Sequence, residues 1–390
     1  MEMRPLLIFD ETLRDGEQQA GLFLSQATKR ELAGLIAATG VHRIDLMPAV
    51  DESEAALVSS LAAQALGPAV TPATLLGKRH VDAASSCGVQ RIILFYAVSD
   101  RLLLLRDEDV RADPRVTARR IDDGVPAAVI QRLRTNFLTR ARECVGYARS
   151  IGLEVDFAAE DASRADPDFL AECIRELAPD LDHFMLCDTV GVLTPERTER
   201  WLEDLLRETD GARLAVHFHN DMGLALENTL RAVLVGASMV SGTFGGIGER
   251  AGNVALDQVL EALRSRHGIE VDGIDYGAVA EVRAYLEERG LRPAPPYSAA
   301  AQRHESGIHV HSLLQDPNSY CIFENVQPEI WFGRTSGASN FEYLCERVLG
   351  RPRFRKEYQR LAALLKERVL REGRCYSPDE MARMLEDDEF

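Results

Sequence analysis

The stretch Leu214-Ala215-Val216-His217-Phe218-His219-Asn220-Asp221-Met222-Gly223 passes from an apolar, strand-like run into a polar turn. On a β-strand, residues i and i+2 share a face, so His217 and His219 project side by side while Phe218 points the other way. Adjacent imidazoles can share one divalent ion, or they can be two satisfied structural histidines. The same pattern, a short β-rich run that ends in polar residues and yields to helical periodicity, recurs in both directions along the chain. It is read at Leu6–Leu13, Arg43–Pro48, Val70–Leu76, Arg91–Val98, Leu153–Ala159, His183–Asp188, Arg213–His219 and Met239–Phe244. Eight such βα units predict a (β/α)8 TIM barrel of class α/β rather than an open sheet.

A barrel of this kind gathers its functional groups at the C-terminal ends of the strands. Those ends carry Arg14 and Asp15 after the first strand, Glu160 and Asp161 after the fifth, Asp188 and Thr189 after the sixth, and the histidine pair on the seventh. Helix boundaries are legible as well. Ser25 can cap a helix whose Leu32, Leu35 and Ile36 share a face and which stops at Gly40, and Thr194-Pro195 is an N-cap followed by proline at the first helical position. The arginine- and aspartate-rich interval Asp100–Pro126, with a short apolar patch at Leu102–Leu105, reads as a mobile loop over the mouth or, slightly better, as a solvated insertion.

Residues 1–268 are expected to form the barrel, 269–340 a linker or lid reaching the active site, and 341–390 a mostly helical C-terminal extension. Within the middle section Gly290–Tyr297 is proline-rich and not helical, and Gln302–His311 holds three of the nine histidines. Leu361, Leu364, Leu365 and Val369 fall at helical spacing in the tail, with a last helix near Pro378–Leu385.

A formal charge of −17 over 390 residues argues against nucleic acid and anionic membrane surfaces as partners. The seven cysteines are scattered and contain no C-x-x-C pair, so neither a disulfide framework nor a zinc knuckle is expected, and reduced thiols point to the cytoplasm. No signal peptide is read at the N-terminus, and no apolar run approaches the ~18 residues of a membrane span.

Asp15 can complete a facial site with His217 and His219. One carboxylate and two imidazoles suit a divalent ion with open positions, without choosing among Zn²⁺, Mg²⁺ and Mn²⁺. Those positions fit the two oxygens of a 2-oxo acid, and Arg14 beside them can stabilise charge developing on the carbonyl oxygen.

L-R-D-G-E-Q at Leu13–Gln18, followed by Lys29, and H-F-H-N-D-M-G at His217–Gly223 resemble the paired signatures of the 2-isopropylmalate synthase/homocitrate synthase family of the DRE-TIM metallolyases. The resemblance continues through E-D-A-S-R-A-D at Glu160, D-T-V-G at Asp188, G-G-I-G-E-R-A-G-N at Gly245 and H-E-S-G-I-H at His304. It implies a Claisen condensation in which acetyl-CoA adds through its methyl carbon to a metal-bound 2-oxo acid, followed by thioester hydrolysis. It also implies roles: Asp15, His217 and His219 as metal ligands with Asn253 near or in the coordination sphere, and Arg14 at the carbonyl. Gln18 and Thr189 would contact the oxo acid, and Glu160 would sit at the reacting centre. His309 would help to remove the methyl proton and Tyr320 would activate water or donate a proton. Gly246 and Gly248 would let the backbone approach the acyl-CoA, and a homodimer would exchange the segment around His309 and Tyr320.

Homocitrate synthase is the nearest label within that family, since isopropylmalate synthases commonly continue into a further regulatory domain. Citramalate or isopropylmalate synthase, or a synthase using phosphonopyruvate, are the alternatives. A hydroxymethylglutaryl-CoA lyase type of cleavage fits less well, because G-E-R-A-G-N stands where that lyase has a cysteine-bearing glycine loop. Met47, Thr74, Leu76 and Tyr96 are expected to line the substrate pocket and offer no partner for a second carboxylate. The fifth strand, Val155-Asp156-Phe157-Ala158-Ala159, lacks the arginine found there in some homocitrate synthases. His304 and His311 are read as structural.

Overall fold

Nine short parallel strands appear in the computed structural model, which describes residues 5–64, 66–106, 124–321, 323 and 328–387. They are β1 (Leu7–Asp10), β2 (Arg43–Ile44), β3 (Ala69–Val70), β4 (Ala73–Leu75), β5 (Arg91–Ala97), β6 (Glu154–Glu160), β7 (Phe184–Asp188), β8 (Leu214–Phe218) and β9 (Met239–Gly242). Their lateral order is β3-β2-β1-β9-β8-β7-β6-β5-β4. The two edge strands are the halves of the third strand expected from sequence. Pro72 between them has no N–H to give to a ladder, so β3 pairs with β2 and β4 pairs with β5. The join is nevertheless continuous: Ala73 N donates to Leu46 O at 2.9 Å, and Ile93 N donates to Pro72 O at 3.2 Å. The sheet therefore closes on itself as the eight-unit count requires.

Helices cover the outside: α1 (Gln26–Ala38), α2 (Glu52–Ala63), α3 (Lys78–Ser86), α4 (Asp100–Arg106), α5 (Ala127–Ser150), α6 (Pro167–Leu177), α7 (Pro195–Glu208), α8 (Ala225–Val235), α9 (Leu256–His267) and α10 (Tyr276–Glu288). The Ser25 hydroxyl accepts from Thr28 N at 3.1 Å and Leu32 and Ile36 are buried, as the sequence pattern predicts. Thr194 caps α7 with Pro195 in its first turn. Gly40 ends α1 with φ +77°, and a Cβ there would lie 1.9 Å from Gly273 O, so both backbone angle and space demand glycine. The main core packs these helices onto the outward faces of the strands, while a smaller apolar cluster of Phe9, Ala73, Ile93, Met185, Cys187, Ala215 and Met239 fills the barrel interior.

Beyond α10 the chain makes a small parallel pair, β10 (Arg303–His304) with β11 (Glu329–Ile330), and the helices α11 (Gly307–Gln315), α12 (Ala338–Glu342), α13 (Arg355–Glu372) and α14 (Pro378–Glu386). These share a second core built on Tyr320, Phe332, Phe341, Leu365 and Tyr376. Leu102 and Leu105 of α4 belong to it. The start of the interval read as a solvated insertion is therefore a helix with a buried face, because four consecutive leucines exceed what a solvated turn can leave exposed. Residues 107–123 of that interval lie outside the described residues.

A buried ion cluster fastens this C-terminal part to the barrel. Lys29 Nζ, fully buried, pairs with Glu17 and lies 2.9 and 2.8 Å from the two oxygens of Glu54. Arg334 reaches the same carboxylates, 3.0 Å to Glu54 Oε2 and 3.5 Å to Glu17 Oε1, and also Asp51 Oδ2 at 2.6 Å. Removing one partner from such a cluster leaves buried charge uncompensated. Lys29→Met is expected to lower stability by about 3–5 kcal/mol, measured as a shift of the denaturant midpoint at unchanged slope.

Candidate active site

Strand alternation decides which groups enter the barrel mouth. His217, one residue from the end of β8, and His219, just past it, both point inward, and Phe218 is buried in the core between sheet and helices. The imidazole Nε2 atoms lie 3.3 Å apart. Asp15, in the tight turn after β1, brings Oδ2 to 3.8 Å from His217 Nε2 and 3.9 Å from His219 Nε2. β1 and β8 are both neighbours of β9, so the turn after β1 and the end of β8 meet across one strand width. All three side chains are buried.

The turn that carries Asp15 is fixed from behind. Asn253 Nδ2 donates to Asp15 Oδ1 at 2.8 Å, and Asn253 Oδ1 is buried without a hydrogen-bond partner. Gly248 makes this contact possible: a Cβ there would lie 2.2 Å from Asn253 Nδ2 and 2.7 Å from Asp15 Oδ1. Gly246 faces Asn253 O in the same way, at 3.2 Å. Both glycines thus make room for Asn253 and Asp15, a packing reason independent of any acyl-CoA. Three convergent ligand atoms, and an orphaned buried amide oxygen beside them, fit a bound divalent cation.

The charges around this cluster are mutually balanced. Burial alone would push the Asp15 carboxyl up, but His219, Arg14 and His217 hold it below the ordinary range. Burial and the Arg250 guanidinium keep the His219 ring well below its usual value and therefore neutral, the form that binds metal. His217 is raised, because the Glu11 carboxylate 3.2 Å from its Nδ1 outweighs the effect of burial. Ser241 Oγ bridges Glu11 and His217 Nδ1, which leaves Nε2 directed at the cluster. Arg14 sits between Glu11 and Asp15, each at 3.2 Å, with Asp45 at 3.7 Å, and lies 5.5 Å above the Phe95 ring. Its Nε is buried without an acceptor.

Across the mouth a second group assembles. Arg106, the last residue of α4, makes a two-point contact with Glu160, 2.6 Å to Oε2 and 2.7 Å to Oε1, and donates to Tyr320 Oη at 2.7 Å. Tyr320 in turn donates to Glu160. Burial would raise Glu160, but the Arg106 charge and hydrogen bonds, aided by His309, bring it down to about 2. His309 from α11 stacks on Tyr320 with centroids 3.9 Å apart, and its Nδ1 lies 2.7 Å from Glu249 Oε2. In the single chain, His309 and Tyr320 thus lie over the chain's own barrel.

Gln18 and Thr189 line the cavity between these groups, and the Thr189 hydroxyl accepts from Asp161 N at 2.8 Å. Of the residues expected to line it, Met47 does so, whereas Thr74, Leu76 and Tyr96 do not. Ala73, Ile93 and Phe95 take their place, because strand parity is one residue away from that expected, and Tyr96 instead stacks on Phe137 in the outer core. His304 is buried with both ring nitrogens unpartnered, and His311 lies 3.0 Å from Gln315 Nε2 and 3.3 Å from Ser339.

Four site groups escaped sequence reasoning: Glu11, Asp45, Glu249 and Arg106. Glu249 stands inside a glycine-rich turn, where a lone acid is a readable signal. Arg106 ends a leucine run, and only its helix brings it inward.

A family model described as HMGL-like matches residues 6–285. The chain belongs to the HMGL-like family. Among proteins similar to it are a probable 2-isopropylmalate synthase of Ignicoccus hospitalis, 33% identical over 358 residues with 88% of this chain and 83% of the relative covered. A homocitrate synthase of Saccharolobus solfataricus is 32% identical over 371 residues, covering 92% of this chain and 73% of that one. The solved structure of an HMG-CoA lyase from Brucella melitensis has the same fold, with TM-score 0.57 at 20% identity, covering 73% of this chain and 99% of the lyase chain. With curated synthases this similar over most of its length, this HMGL-like chain is an enzyme of the acyltransferase type. Among the described residues no helix is long and apolar enough to cross a membrane.

Gly248→Ala is expected to abolish metal retention, read as metal per chain by mass spectrometry, while circular dichroism keeps the barrel signature. Arg106→Met is expected to let the Glu160 carboxyl rise, since burial then acts without its main counter-charge. The acid limb of the pH–rate profile should move to higher pH, with activity at pH 6 falling about tenfold more than at pH 8.

Proposed function

We propose that the chain condenses acetyl-CoA with a 2-oxo acid, giving a 2-substituted malate and CoA, as the names of its synthase relatives suggest. The observation that carries this reading is the juxtaposition in one cavity of the Asp15, His217 and His219 set, Arg14, and the facing Glu160 and His309, with Tyr320 stacked on His309 and bonded to Glu160. Asp15, His217 and His219, with Asn253 Oδ1 adjacent, would hold a divalent ion, which would supply Lewis acidity toward the keto carbonyl of the oxo acid.

The chain's own residues account for the remaining steps. Gln18 and Thr189 orient the oxo acid, and the free Nε of Arg14 donates toward the oxygen on which negative charge develops. Nδ1 of His309 lies 2.7 Å from Glu249 Oε2, and Nε2 is the ring nitrogen that takes a proton from the thioester methyl group. The methyl carbon then bonds to the keto carbon and the keto oxygen becomes the hydroxyl of the product. Hydrolysis of the thioester by water adds the second carboxylate and frees the CoA thiol.

Glu160, held ionised by Arg106, is unsuited to accept that proton and instead fixes the Tyr320 hydroxyl. Tyr320 stays protonated, since burial pushes it well above its ordinary value, and so serves as a hydrogen-bond or proton donor at the mouth. Homocitrate, citramalate and isopropylmalate are all products of this chemistry and differ only in what the oxo acid carries beyond its keto carbon.

Thiol release from acetyl-CoA in the presence of a 2-oxo acid, followed with a thiol reagent, tests the reading. His217→Ala is expected to lose bound metal and thiol release together, by at least about 10³-fold in rate; a variant that keeps full activity refutes the assigned site.

A further inference from the structure

We infer that the oxo acid taken by this site carries a short, uncharged, apolar side chain rather than a second carboxylate or a phosphonate; the inference rests on the synthase reading above. The direction of that side chain follows from the layout of the mouth. The groups assigned to the keto acid head, Arg14, Thr189 and the Asp15 cluster, stand at the strand ends, and His309 and Tyr320 come from the segment that covers them. An acyl-CoA is too large to enter from anywhere but the covered, solvent side. The remaining substituent of the oxo acid therefore points down into the barrel.

What it meets there is apolar. Ala73, Ile93, Ala158 and Met185 form the floor of the cavity, with Met47 and Phe95 at its wall. Below them Phe9, Ala215 and Met239 complete the interior plug. The next cation inward, Arg43, stands in register with Phe9 of that plug and is already paired with Asp156. A distal carboxylate on the floor would be a buried, unpaired charge, which costs several kcal/mol or more in a folded protein.

Among the described residues the cations at the rim do not offer an alternative. Arg14 is shared among Glu11, Asp15 and Asp45, with its Nε assigned above to the keto oxygen, and both terminal nitrogens of Arg106 are taken by Glu160 and Tyr320, which leaves only its Nε unpartnered. Among the described residues, the lining sets against these two arginines the carboxyl groups of Glu11, Asp15, Glu160 and Glu249, besides Asp45, which burial pushes up; this balance favours a metal ion and disfavours a second anionic group on the substrate. The space open to the centres of water molecules is about 80 Å³ for the whole cavity, of which the acid head takes a part, and this leaves room for a short substituent.

The test offers the metal-supplemented protein pyruvate, 2-oxobutyrate, 2-oxoisovalerate, 2-oxoglutarate and phosphonopyruvate, with acetyl-CoA for turnover and without it for binding by calorimetry. The best uncharged oxo acid is expected to exceed both 2-oxoglutarate and phosphonopyruvate in kcat/KM by at least about 100-fold, and to bind where they do not. A dianionic acid that equals or exceeds the uncharged ones overturns the inference while leaving the synthase reading intact. Absence of thiol release with every acid overturns that reading, and the calorimetric order then decides the pocket's preference by itself. As a second arm, Met47→Ala should raise the ratio of kcat/KM for 2-oxoisovalerate over pyruvate about tenfold; an unchanged ratio shows that the substituent does not reach this wall.

Discussion

The hydrogen bond from Asn253 Nδ2 to Asp15 Oδ1 joins the turn after the first strand to the loop after the last across 238 residues of sequence. Its position just beyond β1 and β9, adjacent in the closed sheet, turns the two chain-distant loops into one wall of the mouth. The constraint propagates outward. Gly248 must lack a Cβ for Asn253 to reach Asp15, and Asp15 must be held there to face the imidazoles of β8. Asn253 also forms a bridge with His219, so the same residue sets both sides of the ligand cluster.

The opposite wall is assembled differently. It depends on the C-terminal segment, whose own core of Tyr320, Phe332, Phe341 and Tyr376 takes in leucines of α4. Because α4 is packed into that core, Arg106 is placed where it clamps Glu160 and Tyr320. The Lys29, Glu17, Glu54 and Arg334 cluster holds this segment against the barrel just behind the turn that bears Asp15. A buried network of this kind tolerates little displacement, since each member lacks water as a substitute partner.

An excess of negative charge characterises both the whole chain and its mouth, and it organises the chemistry. Asp15 and Glu160 lie below the ordinary carboxylate range in spite of burial, because His219, Arg14 and His217 around the one and Arg106 beside the other outweigh it. Asp10, which has only Thr12 and backbone donors, is instead pushed up to about 7. The difference between these neighbouring acids is the presence of a cation, not the depth of burial.

The sequence by itself determined the barrel and the ligand set, because both rest on local rules. Eight strand-to-helix alternations are countable, and an H-x-H at a strand end places two imidazoles on one face whatever the surroundings. Ser25, Thr194 and Gly40 were legible for the same reason, each acting within its own turn. Only the tertiary structure decided which face of the inner strands sees substrate. A strand of a parallel sheet is buried on both sides and reads as a continuous apolar run, so Ala73 and Thr74 are equivalent candidates until the ladder is closed. Arg106 and Glu249 likewise acquire their partners through contacts with Glu160 and His309, 54 and 60 residues distant along the chain. Those contacts come from packing a separate C-terminal core onto the barrel, an outcome set by long-range burial rather than by any local pattern.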